Sequence, residues 1–230
     1  MVLATNLVAY YKLDETSAGA VVDSTSTNNA TNYNATINQT GKIGKAYTFN
    51  GSSAYLQSAS QSFTGNADYT ITAWIYHTSR TNHSNIFTNG VEVTKAGLKF
   101  RINDTTGYLS VSLANAAGTN SGEAIPLNTW TFVVLTKLGN TYKLYINNVK
   151  KGNDGTITSS NISAAGTQRI GRDIAAGTGY FTGTIDEVGV WTRVLTFAEL
   201  TELYNSGTGL SYPFTTTNNN FFSLSLGAEF

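Results

Sequence analysis

The feature that most constrains this chain is a rhythm. Short runs in which apolar and polar residues alternate recur along most of its length, and turn residues cut them at close intervals. Alternation at a period of two puts successive side chains on opposite faces of an extended strand, so each run reads as a strand with one buried face. Such runs occupy 7–13, 45–49, 54–57, 69–76, 85–88, 97–102, 107–113, 130–137, 141–146, 167–171 and 183–191. Asn50-Gly51, Asn89-Gly90, Gly139-Asn140, Asn147-Asn148 and Asp154-Gly155 supply turn chemistry between or beside them. Many strands at this spacing predict an all-β sandwich or barrel rather than alternating βαβ units.

Two stretches break the rhythm. Near the end, Thr196 and Glu199 have the spacing of a capping box, and Leu200, Leu203 and Tyr204 follow at helical spacing. Gly207 or Gly209 would stop that helix. Residues 24–40 are too poor in apolar side chains to form a strand pair of their own and read as a polar loop. Residues 215–220 read as a low-complexity linker and 221–226 as a last strand or an apolar tail. The division is thus 1–213 for the folded domain and 214–230 for the linker and tail.

Composition excludes several classes. The chain has 230 residues with 14 Lys+Arg against 14 Asp+Glu, and it contains no basic run. A protein that grips phosphate backbones needs a basic cluster, so no nucleic acid is expected. There is no cysteine, which removes disulfides and thiolate chemistry. The longest apolar run, 131–136, is far short of the roughly 20 residues of a membrane span, so no membrane insertion is expected. No export signal is visible at the start. The expected location is extracellular or on a virion surface, reached as a mature fragment or through lysis.

The segment 181–205, FTGTIDEVGVWTRVLTFAELTELYN, resembles the closing signature of laminin G-like domains of the concanavalin A-like lectin/glucanase superfamily. Residues 8–23, 43–55 and 128–146 are similar to the same family's other recurrent stretches, in order from about Leu7 to Gly209. The resemblance implies a two-sheet antiparallel jelly-roll sandwich with one short C-terminal helix. Phe49, Tyr55, Trp74, Trp130, Phe132 and Trp191 would then fill the space between the sheets. Arg193 would pair with Asp186 or Glu187.

The resemblance also implies a structural Ca²⁺ site held by Asp23, the Asn50-Gly51 turn and Asp186, since calcium takes hard oxygen ligands. His77 and His83 lack a third ligand at metal-site spacing. Glycosidases need two carboxylates flanking the scissile bond, and hydrolases of the superfamily carry them as Glu-x-Asp-x-x-Glu. Here Asp186-Glu187 lacks the flanking glutamates, and adjacent strand residues should face opposite ways. No enzyme is expected. Glycoside hydrolysis ranks third among the readings.

The leading reading is a lectin-like carbohydrate-binding or adhesion module displayed on a larger surface. Planar side chains stack on sugar faces while amides and hydroxyls read the edges. Tyr76, His77, Arg80, Asn82 and His83 gather in one loop, with Arg101 on the next hairpin, as candidate ligand-binding residues. The partner would be a glycan or cell-surface polysaccharide. The alternative is a structural virion decoration or assembly protein that self-associates, or meets a capsid or tail partner, through 221–226.

Overall fold

The computed structural model describes residues 3–81, 83–91, 96–113, 116–157, 162, 166–175 and 177–215. Asn82 and the 221–226 tail therefore lie outside the described residues. In chain order the strands are β1 (Leu7–Tyr11), β2 (Ala30–Tyr33), β3 (Thr36–Thr40), β4 (Lys45–Asn50), β5 (Tyr55–Ser58), β6 (Tyr69–His77), β7 (Ser84–Val91) and β8 (Ala96–Ile102). They continue with β9 (Tyr108–Leu113), β10 (Ala116–Ala124), β11 (Trp130–Leu138), β12 (Thr141–Ile146), β13 (Val149–Thr156), β14 (Thr167–Ile170) and β15 (Thr182–Trp191). One sheet runs β13-β12-β11-β6-β15-β4-β3, with β1 also on β15; the other runs β10-β9-β8-β7-β14-β5-β2. Every pairing is antiparallel. The fold is a jelly-roll sandwich.

Alternation decides which side chains meet between the sheets. Ile71, Ala73 and Ile75 of β6 and Leu98 and Phe100 of β8 enter one shared core. The central strands β6, β11 and β15 are buried on both faces, and they read as nearly continuous apolar runs for that reason. Their outward residues Trp74, Phe132, Val134 and Trp191 form a second cluster with Leu195, Leu200 and Leu203. The cover is helix α1 (Phe197–Tyr204) and the stretch that follows it, which lays Phe214 on Trp191 at 6.2 Å between ring centroids.

The helix begins as expected. Thr196 caps Glu199 N–H, and the Glu199 carboxylate returns a bond to Thr196 N–H at 2.8 Å. It stops at Asn205, whose left-handed backbone (φ 46°) does the work assigned to the glycines further on. Arg193 makes a two-pronged ion pair with Glu199 at 2.8 and 2.6 Å, not with Asp186 or Glu187.

Other expectations change as well. Residues 24–40 contain two strands, β2 and β3, joined through Asn34 at φ 59°. They do not pair with each other: β2 adds to β5 in one sheet and β3 to β4 in the other. Asn89-Gly90 and Asp154-Gly155 lie inside β7 and β13 instead of in turns. Glycine there marks close approach: Gly90 faces Gly97 across the ladder, and Gly155 has Thr119 against it. Of the six aromatics assigned to the sheet interface, Phe49 is there. Trp74, Phe132 and Trp191 lie under α1, Trp130 is half-buried at the margin of that cluster, and Tyr55 lies on the far side of its sheet, flanking Tyr33.

Candidate functional site

The outward face of the seven-stranded sheet is polar, and the helix is on the other side of the molecule. On β8, Leu98, Phe100 and Ile102 point into the core, leaving Lys99 and Arg101 outward. On β9, Leu109, Val111 and Leu113 point inward, leaving Tyr108, Ser110 and Ser112 outward. The register aligns Lys99 with Ser112, and Arg101 with Ser110 and then Asn120 of β10. These residues line a groove of about 500 Å³.

The segment 171–175 lies beside it, joined through Lys99. Its Asp173 binds Lys99 Nζ at 2.9 and 3.0 Å. Its Ile174 is buried above Gly97, where an added Cβ would lie 2.6 Å from Ile174 Cδ1 and 2.4 Å from the Asn89 carbonyl oxygen. Arg172 extends the surface sideways, with its guanidinium 4.6 Å from the Tyr55 ring centroid. Across the Lys99–Asp173 pair is a second depression of about 430 Å³, lined by His83, Asp104, Asp173, Tyr180 and the Gly51-Ser52 turn. His83 Nδ1 lies 3.1 Å from Asp104 Oδ1. Burial and then the charge of Arg101 lower the His83 pKa.

The expected binding residues separate. His83 and Arg101 belong to this open face. Tyr76 points out of the opposite sheet, 5.7 Å from Trp130. His77 is fully buried, with Nε2 3.0 Å from Ser84 Oγ and its ring against Phe181, so it is a core residue. Burial, helped by Arg80, pushes its pKa down to about 4 and keeps it neutral. Arg80 donates to the Ile125 carbonyl at 2.6 Å and lies across Gly107, bracing the β8–β9 hairpin. Two neighbours in the loop thus diverge because β6 still alternates at its end. Lys99, Ser110, Ser112 and Asn120 escaped the sequence reading, although the polar half of L-K-F-R-I and Y-L-S-V-S-L marks this face.

The residues assigned to calcium do not form one ligand shell. Asp23 is fully buried, and its carboxylate accepts from Tyr10, Thr25, Thr27 and Asn28 N–H and from both threonine hydroxyls. The Asn50 side-chain oxygen caps Ser52, Ser53 and Ala54 N–H beside Gly51. Asp186 lies four residues along β15 from the partner of Asn50, roughly 13 Å at strand rise. Among the described residues no group of three or more His, Cys, Asp or Glu side chains could hold a metal ion.

Asp186 and Glu187 do not face opposite ways. The β15–β6 register shifts between Asp186 and Gly189, and Glu187 takes φ 50°. This bulge leaves Ile185 and Val188 in the core while both carboxyls lie away from it. Asp186 Oδ2 accepts from Lys42 and Ile43 N–H at 2.8 and 3.0 Å, and Glu187 accepts from the Tyr10 hydroxyl. Both are buried, with Asp186 Oδ1 and Glu187 Oε1 lacking a hydrogen-bond partner among the described residues. Burial raises both pKa values, to about 8 for Asp186 and about 7 for Glu187.

The architecture defines a two-sheet jelly roll with one face covered by a helix and the other face open and polar. Residues 50–201 match the Laminin_G_3 family of the concanavalin A-like lectin/glucanases superfamily, and the chain belongs to that family. No curated protein matches the sequence. Domain 4 of AbnA, a GH43 extracellular arabinanase from Geobacillus stearothermophilus solved with arabinotriose, is similar over 86% of this chain and 97% of that one, at 22% identity and a TM-score of 0.70. The Trypanosoma rangeli sialidase solved with 2,3-difluorosialic acid is similar over 90% of this chain at 16% identity and a TM-score of 0.68. This chain covers 34% of that sialidase. The binding domain of Paraclostridial Mosquitocidal Protein 1 is similar over 89% of this chain and 53% of that chain, at 16% identity and a TM-score of 0.66. At these identities the likeness establishes the fold. No helix among the described residues is long and apolar enough to cross a membrane.

Proposed function

We propose that this chain is a non-catalytic carbohydrate-binding module that holds a glycan on the open face of its seven-stranded sheet and serves an extracellular surface or a larger enzyme. The observation that carries the reading is the groove itself. Outward hydroxyls of Ser110, Ser112 and Tyr108 and the amide of Asn120 line a depression of about 500 Å³, which suits a few sugar rings. The arabinotriose complex of a domain with this fold supports the same class of ligand. The buried position of Asp186 and Glu187 supports a non-catalytic role, because a glycosidase must present its carboxyls to the scissile bond.

An open groove gains only a few kcal/mol, so affinity should fall roughly between millimolar and micromolar. The test is a glycan array followed by titration of the best ligand against wild type and Tyr108→Ala. Binding that weakens at least tenfold in Tyr108→Ala, with an unchanged melt, is the expected result. A variant that binds every glycan as wild type does would move the site elsewhere.

A further inference from the structure

Charges on the open face are unevenly matched. Lys99 is held by Asp173 at 2.9 Å, and Asp104 is engaged by His83 at 3.1 Å. Arg101 lines the groove with Lys99 and has no such partner among the described residues. Its Nε is buried without a hydrogen-bond acceptor among the described residues, while its backbone carbonyl accepts from Ser110 Oγ at 3.4 Å. A buried donor left without an acceptor is costly, and a guanidinium in that state is poised for an incoming anion.

Resting on the glycan-binding reading above, we infer that Arg101 selects acidic sugars: the groove takes a glycan bearing a carboxylate, of the hexuronic or nonulosonic acid class, and seats that carboxylate on the Arg101 guanidinium. With Lys99 held by Asp173, Arg101 is the groove cation left to meet an anion, a single seat rather than the row of cations that a polysulfated chain needs. Geometry agrees, because a planar guanidinium edge matches the two oxygens of a planar carboxylate. Ser110 and Asn120 stand beside Arg101 in register, placed to read the hydroxyls of the same ring. Tyr108, two residues before Ser110 on the same face, offers its ring to the sugar.

The experiment prints acidic glycans beside their carboxyl-reduced counterparts, with sulfated glycans on the same array, and probes them with the full chain. Wild type is expected to prefer the carboxylated form by about tenfold or more. Arg101→Gln should erase that preference, and Arg101→Lys should restore it only in part, with melting curves of both variants matching wild type. Equal binding to acidic and reduced forms, preference for sulfated chains, or an acid preference that survives in Arg101→Gln would overturn the inference and leave the glycan reading standing. Binding to no glycan at all would overturn both.

Discussion

The two outward faces of this sandwich are built from the same alternating strands and end in opposite states. On the eight-stranded sheet the outward residues of β6, β11 and β15 include Trp74, Phe132, Val134 and Trp191, and a helix with its trailing segment covers them. On the seven-stranded sheet the outward residues of β8 and β9 are Lys99, Arg101, Tyr108, Ser110 and Ser112, and the groove above them stays open. Only the first face has a hydrophobic reason to be covered. The difference shows where the chain stores stability and where it keeps a surface free for a partner. Each expectation below tests that division of labour.

The largest effect belongs to Trp191. It is fully buried, donates its indole N–H to the Leu3 carbonyl at 2.6 Å and packs edge-on against Tyr10. Trp191→Ala opens a cavity under the cover and leaves that carbonyl without its donor. The expected loss is about 3–5 kcal/mol of unfolding free energy in urea. A loss below about 1 kcal/mol would mean that the covered face contributes little to stability, and the contrast would fail.

A middle-sized effect concerns pH and the buried carboxyls of the same face. Their folded pKa values are raised, so the folded state binds more protons than the unfolded state between ordinary carboxyl values and about 8. Their contribution is fully present at acid pH and is lost as pH rises through about 7 to 8. His77 pulls the other way below about 6.5, because its folded pKa is lowered. Glu199, lowered to about 2 chiefly by its hydrogen bonds to Arg193, loses its contribution only in acid. The useful quantity is therefore the change in slope between wild type and Asp186→Asn over pH 6.5–8.5, where those two groups cancel. Wild type should lose stability with pH across this range. The variant should lose about 1–3 kcal/mol less. Parallel slopes would show that Asp186 ionises in the folded state as it does in water.

The same contrast explains what the sequence disclosed. Eleven alternating runs correspond to observed strands, and the four strands that escaped, β2, β3, β10 and β13, are the ends of the two sheet paths. An end strand pairs with one neighbour in its sheet and needs few apolar residues, so ATNY, TINQT, AAGTNSGEA and VKKGNDGT carry little alternation to read. The capping box was legible because it is local. The bulge at Glu187 left a fainter trace: the core residues Ile185 and Val188 stand three apart where an unbroken strand gives two or four. Of the site, Arg101 and His83 were legible as polar residues near one loop. The alternation of β6 put Tyr76 outward on the other sheet and His77 inside, and that depends on which sheet each strand joins. Spacing along the chain does not carry that information.

The smallest stability effect is the sharpest test of the open face. Ser110 and Ser112 sit on β9 with their hydroxyls outward, while Leu109, Val111 and Leu113 hold the strand to the core. Among the described residues the one side-chain bond from this pair is the 3.4 Å contact of Ser110 Oγ with the Arg101 carbonyl, too long to add much. Replacing both serines by alanine removes no buried apolar area and leaves no buried donor behind. The double variant Ser110→Ala/Ser112→Ala should therefore unfold within about 0.5 kcal/mol of wild type. Glycan affinity should nevertheless drop, since two hydroxyls at the floor of the groove are gone. A loss of stability with affinity intact would reverse the assignment: this face would then serve the fold, and the ligand would have to be sought on the row of Tyr76, Trp130 and Thr184 on the other sheet.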